Sequence, residues 1–263
     1  MKLNVDRLQE GLCTKCFGRN IVFLREVGST NDFAKELAGY GAVEGTVVVA
    51  ETQISGRGRL GREWVSPKGG LWVSIILRPE LKPAKAVRLV FVAGLAVAEV
   101  LRELYGLKSE TKWPNDVLVN GKKICGILTE INTTGERINY VIVGAGVNVN
   151  FDVAKVFPEE LRASATSLEN GLGRKVRLEE LFRALLEKLE NVYELFLKEG
   201  FGPVLEKWKA YAGFLGRQVE VASDSEKLCG LALDVDSEGA LALRLEDGTV
   251  RRVFAGDLSL RLK

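Results

Sequence analysis

The chain has 263 residues, 46% apolar and 27% charged, with a formal net charge of +2, which is ordinary for a soluble globular protein and excludes a polyanion-binding surface spread over the whole chain. No stretch reaches the roughly 18 uninterrupted apolar residues of a membrane span, and the N-terminal MKLNVDRLQEGL is too polar for a signal peptide, so a cytosolic enzyme is expected. The chain has no histidine, which removes Ser-His-Asp and Cys-His nucleophile systems and leaves the chemistry to Lys, Arg, Asp, Asn and backbone amides.

In chain order, Cys13 and Cys16 come first as a CxxC, while Cys125 and Cys229 lie far apart in apolar surroundings. All four are read as buried or incidental thiols, ahead of a local disulfide or half a zinc site. Residues 20–26 (NIVFLRE) read as a short strand. Ser29 and Asp32, three residues apart, resemble a capping box, and the helix that follows carries Phe33, Ala34, Leu37 and Ala38. Ser29-Thr30-Asn31 is either a cap alone or a polar set at a helix N-terminus that holds a head group. Residues 45–50 (GTVVVA) form a β-branched run expected to be a buried strand, delivering Glu51, Thr52 and Gln53 to the next loop.

That loop is Gly56-Arg57-Gly58-Arg59-Leu60-Gly61-Arg62. Its glycines let the backbone amides converge, and its arginines offer planar donors suited to carboxylate and phosphate oxygens, so it reads as an anion clamp. It is not a nucleotide P-loop, which needs GxxxxGK and then Ser or Thr. Three readings stay open on the residues alone: a ligand-ordered loop of a nucleotidyl-transfer enzyme, an RGG-like nucleic-acid segment, and a solvated turn.

Residues 71–77 read as a strand ending at Arg78-Pro79, and 84–105 as one long core-facing helix. A second polar cluster, Lys112-Trp113-Pro114-Asn115-Asp116, leads into a strand at 117–119, a hairpin turn at Asn120-Gly121, and a return strand at 122–130. After a turn at Thr134-Gly135, the strand 138–143 runs into GAGVNVN (144–150). That segment lacks the third glycine and the helix of a dinucleotide fingerprint, and reads as a strand whose small residues admit a flat ligand. Residues 151–177, with Ala165-Thr166-Ser167-Leu168, read as irregular, followed by helices at about 178–198 and 201–212. Composition shifts at Gly213; from Arg217 onward, short strands with turns at Ser223-Asp224, 237–239 and Asp247-Gly248 fit an SH3-like barrel packed on the main domain.

The segments STN, ETQISGRGRLGREW, GGLWVSIILRP, KWPNDVLVNGKKICGIL and GAGVNVN, in this order and spacing, resemble the biotin protein ligase family from about residue 12 to the C-terminal GDLSLR. The resemblance implies an α+β fold: a class II synthetase-like catalytic domain (1–213), with a mixed sheet and flanking helices, and an SH3-like β-barrel (214–263). It also implies two steps on biotin and MgATP: the biotin carboxylate attacks the α-phosphate to give biotinyl-5′-AMP and pyrophosphate, and the anhydride then acylates one lysine of a biotin carboxyl carrier protein. A homodimer is implied, with no tightly bound cofactor. Ser29, Thr30, Asn31 and Gln53 would hold biotin together with Gly56, Arg57, Gly58 and Arg59 of the loop. Lys123 would meet the biotin carboxylate, and Gly126, Leu128, Gly144 and Gly146 would line the slot. Arg57, Arg59, Arg62, Trp64, Asn115, Lys123, Asn148 and Arg261 would face the adenylate, with Lys112 beside them. Of Lys122 and Lys123, one is expected to be a solvated hairpin shoulder.

The catalytic set implied is Lys123, Arg59, Asp116 and Lys112. An acceptor lysine with a pKa of about 10.4 is only about 0.1% neutral near pH 7.4, a selection of about 4 kcal/mol, so Asp116 is assigned to orient or deprotonate it. Glu220 stands where some relatives carry a basic residue, which leaves the barrel's phosphate contact to Arg261. About 20 residues precede the first strand, too few for a winged helix, so no DNA partner is expected. A lipoate or octanoate ligase is the alternative within the superfamily, and a nucleic-acid-binding protein is the alternative outside it. The loop's glycines predict a segment that is mobile when empty and orders over its ligand.

Overall fold

Continuous apolar runs in the central strands build one large sheet with helices on both faces. The structure is a computed structural model and describes residues 5–223 and 226–260. Its elements are α1 (Val5–Gln9), β1 (Ile21–Val27), α2 (Thr30–Gly39), β2 (Val47–Gln53), β3 (Leu71–Leu77), α3 (Pro83–Ala86), α4 (Leu89–Tyr105), β4 (Ser109–Lys112), β5 (Asp116–Val119), β6 (Lys122–Thr134) and β7 (Arg137–Val147). Then come α5 (Val153–Val156), α6 (Glu159–Arg162), α7 (Leu168–Leu172), α8 (Leu178–Glu199), α9 (Phe201–Ala210), β8 (Gln218–Ala222), β9 (Lys227–Val235), β10 (Leu241–Leu245), β11 (Val250–Val253) and β12 (Asp257–Leu260).

The large sheet runs β1-β2-β3-β7-β6-β5-β4, with β1 and β2 parallel and the other neighbours antiparallel. Successive strand residues face opposite sides. Val47, Val49, Val73, Ile75, Val141 and Val143 enter the main core shared with α4, α8 and α9, while Val48, Ile76 and Ile142 pack with Ala34 and Ala38 of α2. The buried run at 45–50 is therefore a strand with helices above and below it, starting two residues later and ending three residues later, so that Glu51, Thr52 and Gln53 lie on the strand itself. No helix of the described residues is long and apolar enough to cross a membrane.

Three expectations change. The helix expected over 84–105 is broken into α3 and α4 at Val87-Arg88, where Arg88 lays its guanidinium 5.3 Å from the Phe201 ring centroid. Gly106, at φ 66°, then ends α4 in the left-handed conformation that favours glycine. Strand β4 has no counterpart in the sequence reading because its buried residues are Ser109 and Thr111, which leave no apolar alternation. Residues 151–177 hold α5, α6 and α7, each of four or five residues and too short for a helical period to register.

The last five strands form an antiparallel sheet in the order β11-β10-β9-β8-β12 and fit the small SH3-like unit expected there. Asp224 of the expected Ser223-Asp224 turn and the C-terminal Arg261 lie outside the described residues. The inner residues Val219, Val221, Ala232, Leu241, Leu243 and Leu258 join the same apolar cluster as the large sheet. The joint is aromatic: Phe91 packs edge-on against Trp208 at 4.9 Å and Phe201 at 5.3 Å, and Trp208 meets Phe214 at 6.1 Å. A Cβ on Gly239, in the β9–β10 turn, would come 2.9 Å from the Phe91 ring. Removing that ring leaves a cavity at the joint, so Phe91→Ala is expected to lower stability by about 3–5 kcal/mol, read as a shift of the urea midpoint at unchanged slope.

Candidate functional site

One cavity of about 470 Å³ opens over the ends of β3, β6 and β7. Its floor is glycine because nothing larger fits. Gly126 and Gly146 face each other across the β6–β7 ladder, and Gly144 lies opposite Leu128. A Cβ on Gly144 would come 2.1 Å from Asn31 Oδ1, one on Gly146 2.3 Å from Trp64 Nε1, and one on Gly126 3.0 Å from the Trp64 ring. The Trp64 indole thus lies against two bare strands, with Lys123 Nζ 5.0 Å from its ring centroid, a cation–π contact. Its Nε1–H is buried and has no acceptor.

The head end of the cavity is a connected polar network around Thr30 and Asn31, each 4% exposed. Ser29 is the N-cap of α2 by backbone conformation, but its side chain makes no cap bond, and Asp32 is drawn off by Arg57 and Lys35. The expected capping box is absent. Gln53 replaces it from the neighbouring strand: its Oε1 accepts from Thr30 N–H at 2.8 Å and from the Thr30 hydroxyl at 3.0 Å. Gln53 Nε2 donates to Ser66 Oγ at 2.7 Å, and Ser66 Oγ to Trp64 O at 2.9 Å. Ser74 Oγ, fully buried, lies 2.6 Å from Asn31 Oδ1 and 2.8 Å from Thr30 Oγ1. Asn31 Nδ2 donates to Leu128 O at 3.2 Å and to Glu130 Oε2 at 2.8 Å.

The three loop arginines are not equivalent. Arg57 is held by Asp32 (Nε–Oδ2 3.0 Å, Nη2–Oδ1 2.6 Å) and by Glu130 at 3.0 and 3.1 Å. Arg62 pairs with Asp257 of β12. Arg59 donates only to neutral acceptors, Asn115 Oδ1 and Gly256 O, each at 3.2 Å, and has no carboxylate at ion-pair distance among the described residues. Burial holds its pKa below the ordinary arginine value against the opposing charges of Asp257 and Asp116. Leu60, at φ 55°, sits exposed at the loop tip. Gly56 backs the loop, where a Cβ would come 2.4 Å from Trp64 O.

The second polar cluster forms the opposite wall. Trp113 is fully buried and donates to Gly239 O of the small sheet at 3.0 Å. Asn115 Nδ2 donates to Ile127 O at 2.8 Å and the Ile127 N–H returns to Asn115 O at 2.9 Å. The Asp116 side chain, 11% exposed, stands between two ammonium groups, Lys123 Nζ 2.7 Å from Oδ1 and Lys112 Nζ 3.4 Å from Oδ2. The closer contact is an ion pair without hydrogen-bond alignment, since Oδ1 accepts no directed bond. Lys122 is exposed and is the shoulder of the hairpin, while Lys123 faces the cavity. Asn148, 1% exposed, donates Nδ2 to Thr166 O at 2.9 Å and leaves its Oδ1 without a donor.

Ser29, Thr30, Asn31, Gln53, Arg57, Gly58, Arg59, Arg62, Trp64, Lys112, Asn115, Asp116, Lys123, Gly126, Leu128, Gly144, Gly146 and Asn148 therefore share one cavity wall. Sequence reading missed Ser66, Ser74, Glu130 and Asp257; a polar residue at a fully buried position of an apolar strand was the signal for Ser74. Away from the cavity, Cys13 and Cys16 are exposed free thiols, and the Glu190 carboxylate collects the N–H groups of Lys15, Cys16 and Phe17 at 2.6–2.8 Å. Cys125 is buried, and Glu220 pairs with Lys227 at 2.8 Å, outside the cavity.

The chain matches two family models: the biotin/lipoate A/B protein ligase family over residues 24–148, and the biotin protein ligase C terminal domain over 214–261. It is 37% identical over 260 residues to the bifunctional ligase/repressor BirA of Bacillus subtilis, covering 98% of this chain and 79% of that one. To the biotin–[acetyl-CoA-carboxylase] ligase of Paracoccus denitrificans it is 34% identical over 223 residues, covering 84% and 92%. A solved structure of the Aquifex aeolicus biotin protein ligase in complex with biotin and ATP superimposes with a TM-score of 0.80 at 31% identity, covering 93% of this chain and 100% of that one.

Two outcomes follow from the geometry. Gly146→Ala drives a methyl group into the indole, so Trp64 must leave the floor; since Trp72, Trp113 and Trp208 are buried, the red shift expected in tryptophan emission reports Trp64. Burial pushes the Glu130 carboxyl up, but donors from Asn31, Lys35 and Arg57 outweigh it and hold it below its ordinary value. A depressed carboxyl stabilises the fold fully above the unfolded value of about 4.3 and loses that contribution as pH falls through the folded value. Urea midpoints measured from about pH 5 to about pH 3 are expected to fall less steeply in Glu130→Gln than in the parent.

Proposed function

Because the chain belongs to the biotin/lipoate A/B protein ligase family, we propose that it activates biotin with ATP and transfers it to a lysine of a biotin carboxyl carrier protein. The observation that carries this reading is the graded cavity: neutral hydrogen-bonding groups at one end, Lys123 and Arg59 in the middle, and Asn148 at the other end, over a floor without side chains. Biotin's ureido head is neutral and needs donors and acceptors, which Ser29, Thr30, Asn31 and Gln53 supply. Its carboxylate then lies near Lys123, whose ammonium is held in place by Asp116.

In the first step the carboxylate oxygen attacks the α-phosphorus and the bond to pyrophosphate breaks. Negative charge grows on the phosphorane-like oxygens, and the fixed cations near them lower the barrier without reorganising. Arg59 suits this role better than its loop neighbours, because Arg57 and Arg62 already spend their charge on carboxylates. Asn148 Oδ1, lacking a donor, suits the exocyclic amine of adenine, and the Trp64 indole offers a flat face beside it. ATP enters with Mg2+ as part of the substrate. In the second step the lysine amine attacks the acyl carbon and AMP leaves. Asp116 is the carboxylate nearest that reaction, and its two ammonium partners fit the orienting of charge better than free proton uptake. Residues 1–213 form the catalytic part and 214–263 the C-terminal part; this reading further takes the enzyme to be a cytoplasmic homodimer.

Biotin-dependent exchange of pyrophosphate into ATP tests the activity; exchange supported by lipoate or octanoate instead would overturn the substrate assignment. Arg59→Ala is expected to lose adenylate formation by about 100-fold or more while still binding biotin. Asp116→Asn, supplied with preformed biotinyl-AMP, is expected to slow transfer; transfer at the parent rate would remove Asp116 from the second step.

A further inference from the structure

The reading above gives no role to Glu130, yet this carboxylate bonds both Asn31 of the head-group pocket and Arg57 of the loop. Its Oε2 accepts from Asn31 Nδ2 at 2.8 Å and Arg57 Nη2 at 3.0 Å, and its Oε1 from Lys35 Nζ at 3.0 Å and Arg57 Nη2 at 3.1 Å. Three elements meet there: α2 through Asn31 and Lys35, the arginine loop through Arg57, and β6, which carries Glu130. Asp32 completes the cluster from α2, giving two carboxylates and two cations. Partly exposed ion pairs of this kind contribute only modestly to folding, so stability alone does not account for the arrangement. A carboxylate beside an anion clamp also works against anion binding, so its presence calls for another purpose.

We propose that Glu130 is a positioning residue that couples occupancy of the biotin head-group pocket to closure of the 56–62 loop; this rests on the biotin-ligase reading. The coupling starts at Asn31. An ionised carboxylate only accepts, so it dictates that the amide nitrogen of Asn31 turns toward Glu130, and the amide oxygen then takes the Ser74 hydroxyl, 2.6 Å away, over the Gly144 floor. The same carboxylate fixes Arg57, and with it the first half of the loop. The second half is tied to the same head-group residues by a separate route, Thr30 to Gln53 to Ser66 to Trp64 O. A ligand that orders Thr30 and Asn31 therefore stiffens both attachments of the loop, and Glu130 is the acceptor that Asn31 and Arg57 share.

The experiment compares parent, Glu130→Gln, Arg57→Ala and the double variant. It measures biotin release by tryptophan fluorescence, trypsin cleavage within the arginine loop with and without biotin, and the KM for ATP. Parent enzyme without biotin-dependent pyrophosphate exchange would remove the functional reading itself, separately from this inference. With exchange present, Glu130→Gln is expected to release biotin about tenfold faster and to leave the loop open to trypsin at saturating biotin, with its KM for ATP within about twofold of the parent. The effects in the double variant are expected to be less than additive, because the two changes share the Arg57–Glu130 contact. Parent-like release and protection in Glu130→Gln, or strictly additive effects in the double variant, would overturn the proposal. Should Glu130→Gln fail to fold, Asn31→Ala, Arg57→Ala and their combination make the same test: less-than-additive effects support a shared acceptor and full additivity refutes it.

Discussion

The site depends on the absence of three Cβ atoms. Gly126, Gly144 and Gly146 lie on the central strands of the large sheet, where a side chain would normally stand perpendicular to the backbone and fill the space above it. Without those atoms, the Asn31 amide and the Trp64 indole come down onto the strands themselves, and the cavity takes the shape of a slot. The helices behind the sheet and the small sheet beside it hold these strands at fixed height. Burial of Val143, Ala145 and Val147 on the opposite face of β7 locks the register that keeps the glycines pointing into the slot.

Charge is distributed over this floor unevenly. The loop looks uniformly cationic, yet Asp32, Glu130 and Asp257 neutralise Arg57 and Arg62, and Asp116 gathers Lys112 and Lys123. What remains for a ligand is concentrated at Arg59, half-buried against Asn115 and the Gly256 carbonyl. The small sheet is therefore part of the site's electrostatics, supplying both an acceptor for Arg59 and the carboxylate that occupies Arg62. Trp113 ties the same sheet to the Lys112–Asp116 turn from the other side, through Gly239.

Most of the cavity wall was legible because local chemistry announces it. The glycine-arginine run, the polar triplet at a helix start and the small residues within a strand each pointed to a ligand among other readings, and the resemblance carried by five motifs in order turned them into one site. Glu130 and Ser74 were not legible as site residues, since Glu130 stands in the polar half of a long strand and Ser74 is a single hydroxyl in an apolar one, and only the neighbouring helix and loop give them partners. The capping box failed for a related reason. Asp32 could reach back to the start of its helix, but Lys35 one turn on and Arg57 of the loop hold it instead, and Gln53 takes the Thr30 amide. Strand β4 and helices α5 to α7 escaped because polar or very short segments carry no readable period.

The amino-acid sequence by itself determined which residues gather: periodicity and turn chemistry set the order of strands and helices, and the motif residues follow those elements to one end of the sheet. It also determined the chemical class, because a chain without histidine and with this loop has only fixed cations and carboxylates to work with. Tertiary structure alone decided which of those charges are spent and which remain. Ion pairing depends on distances of a few ångströms between elements far apart in the chain, such as Arg57 with Glu130 and Arg62 with Asp257, and no local pattern encodes such distances.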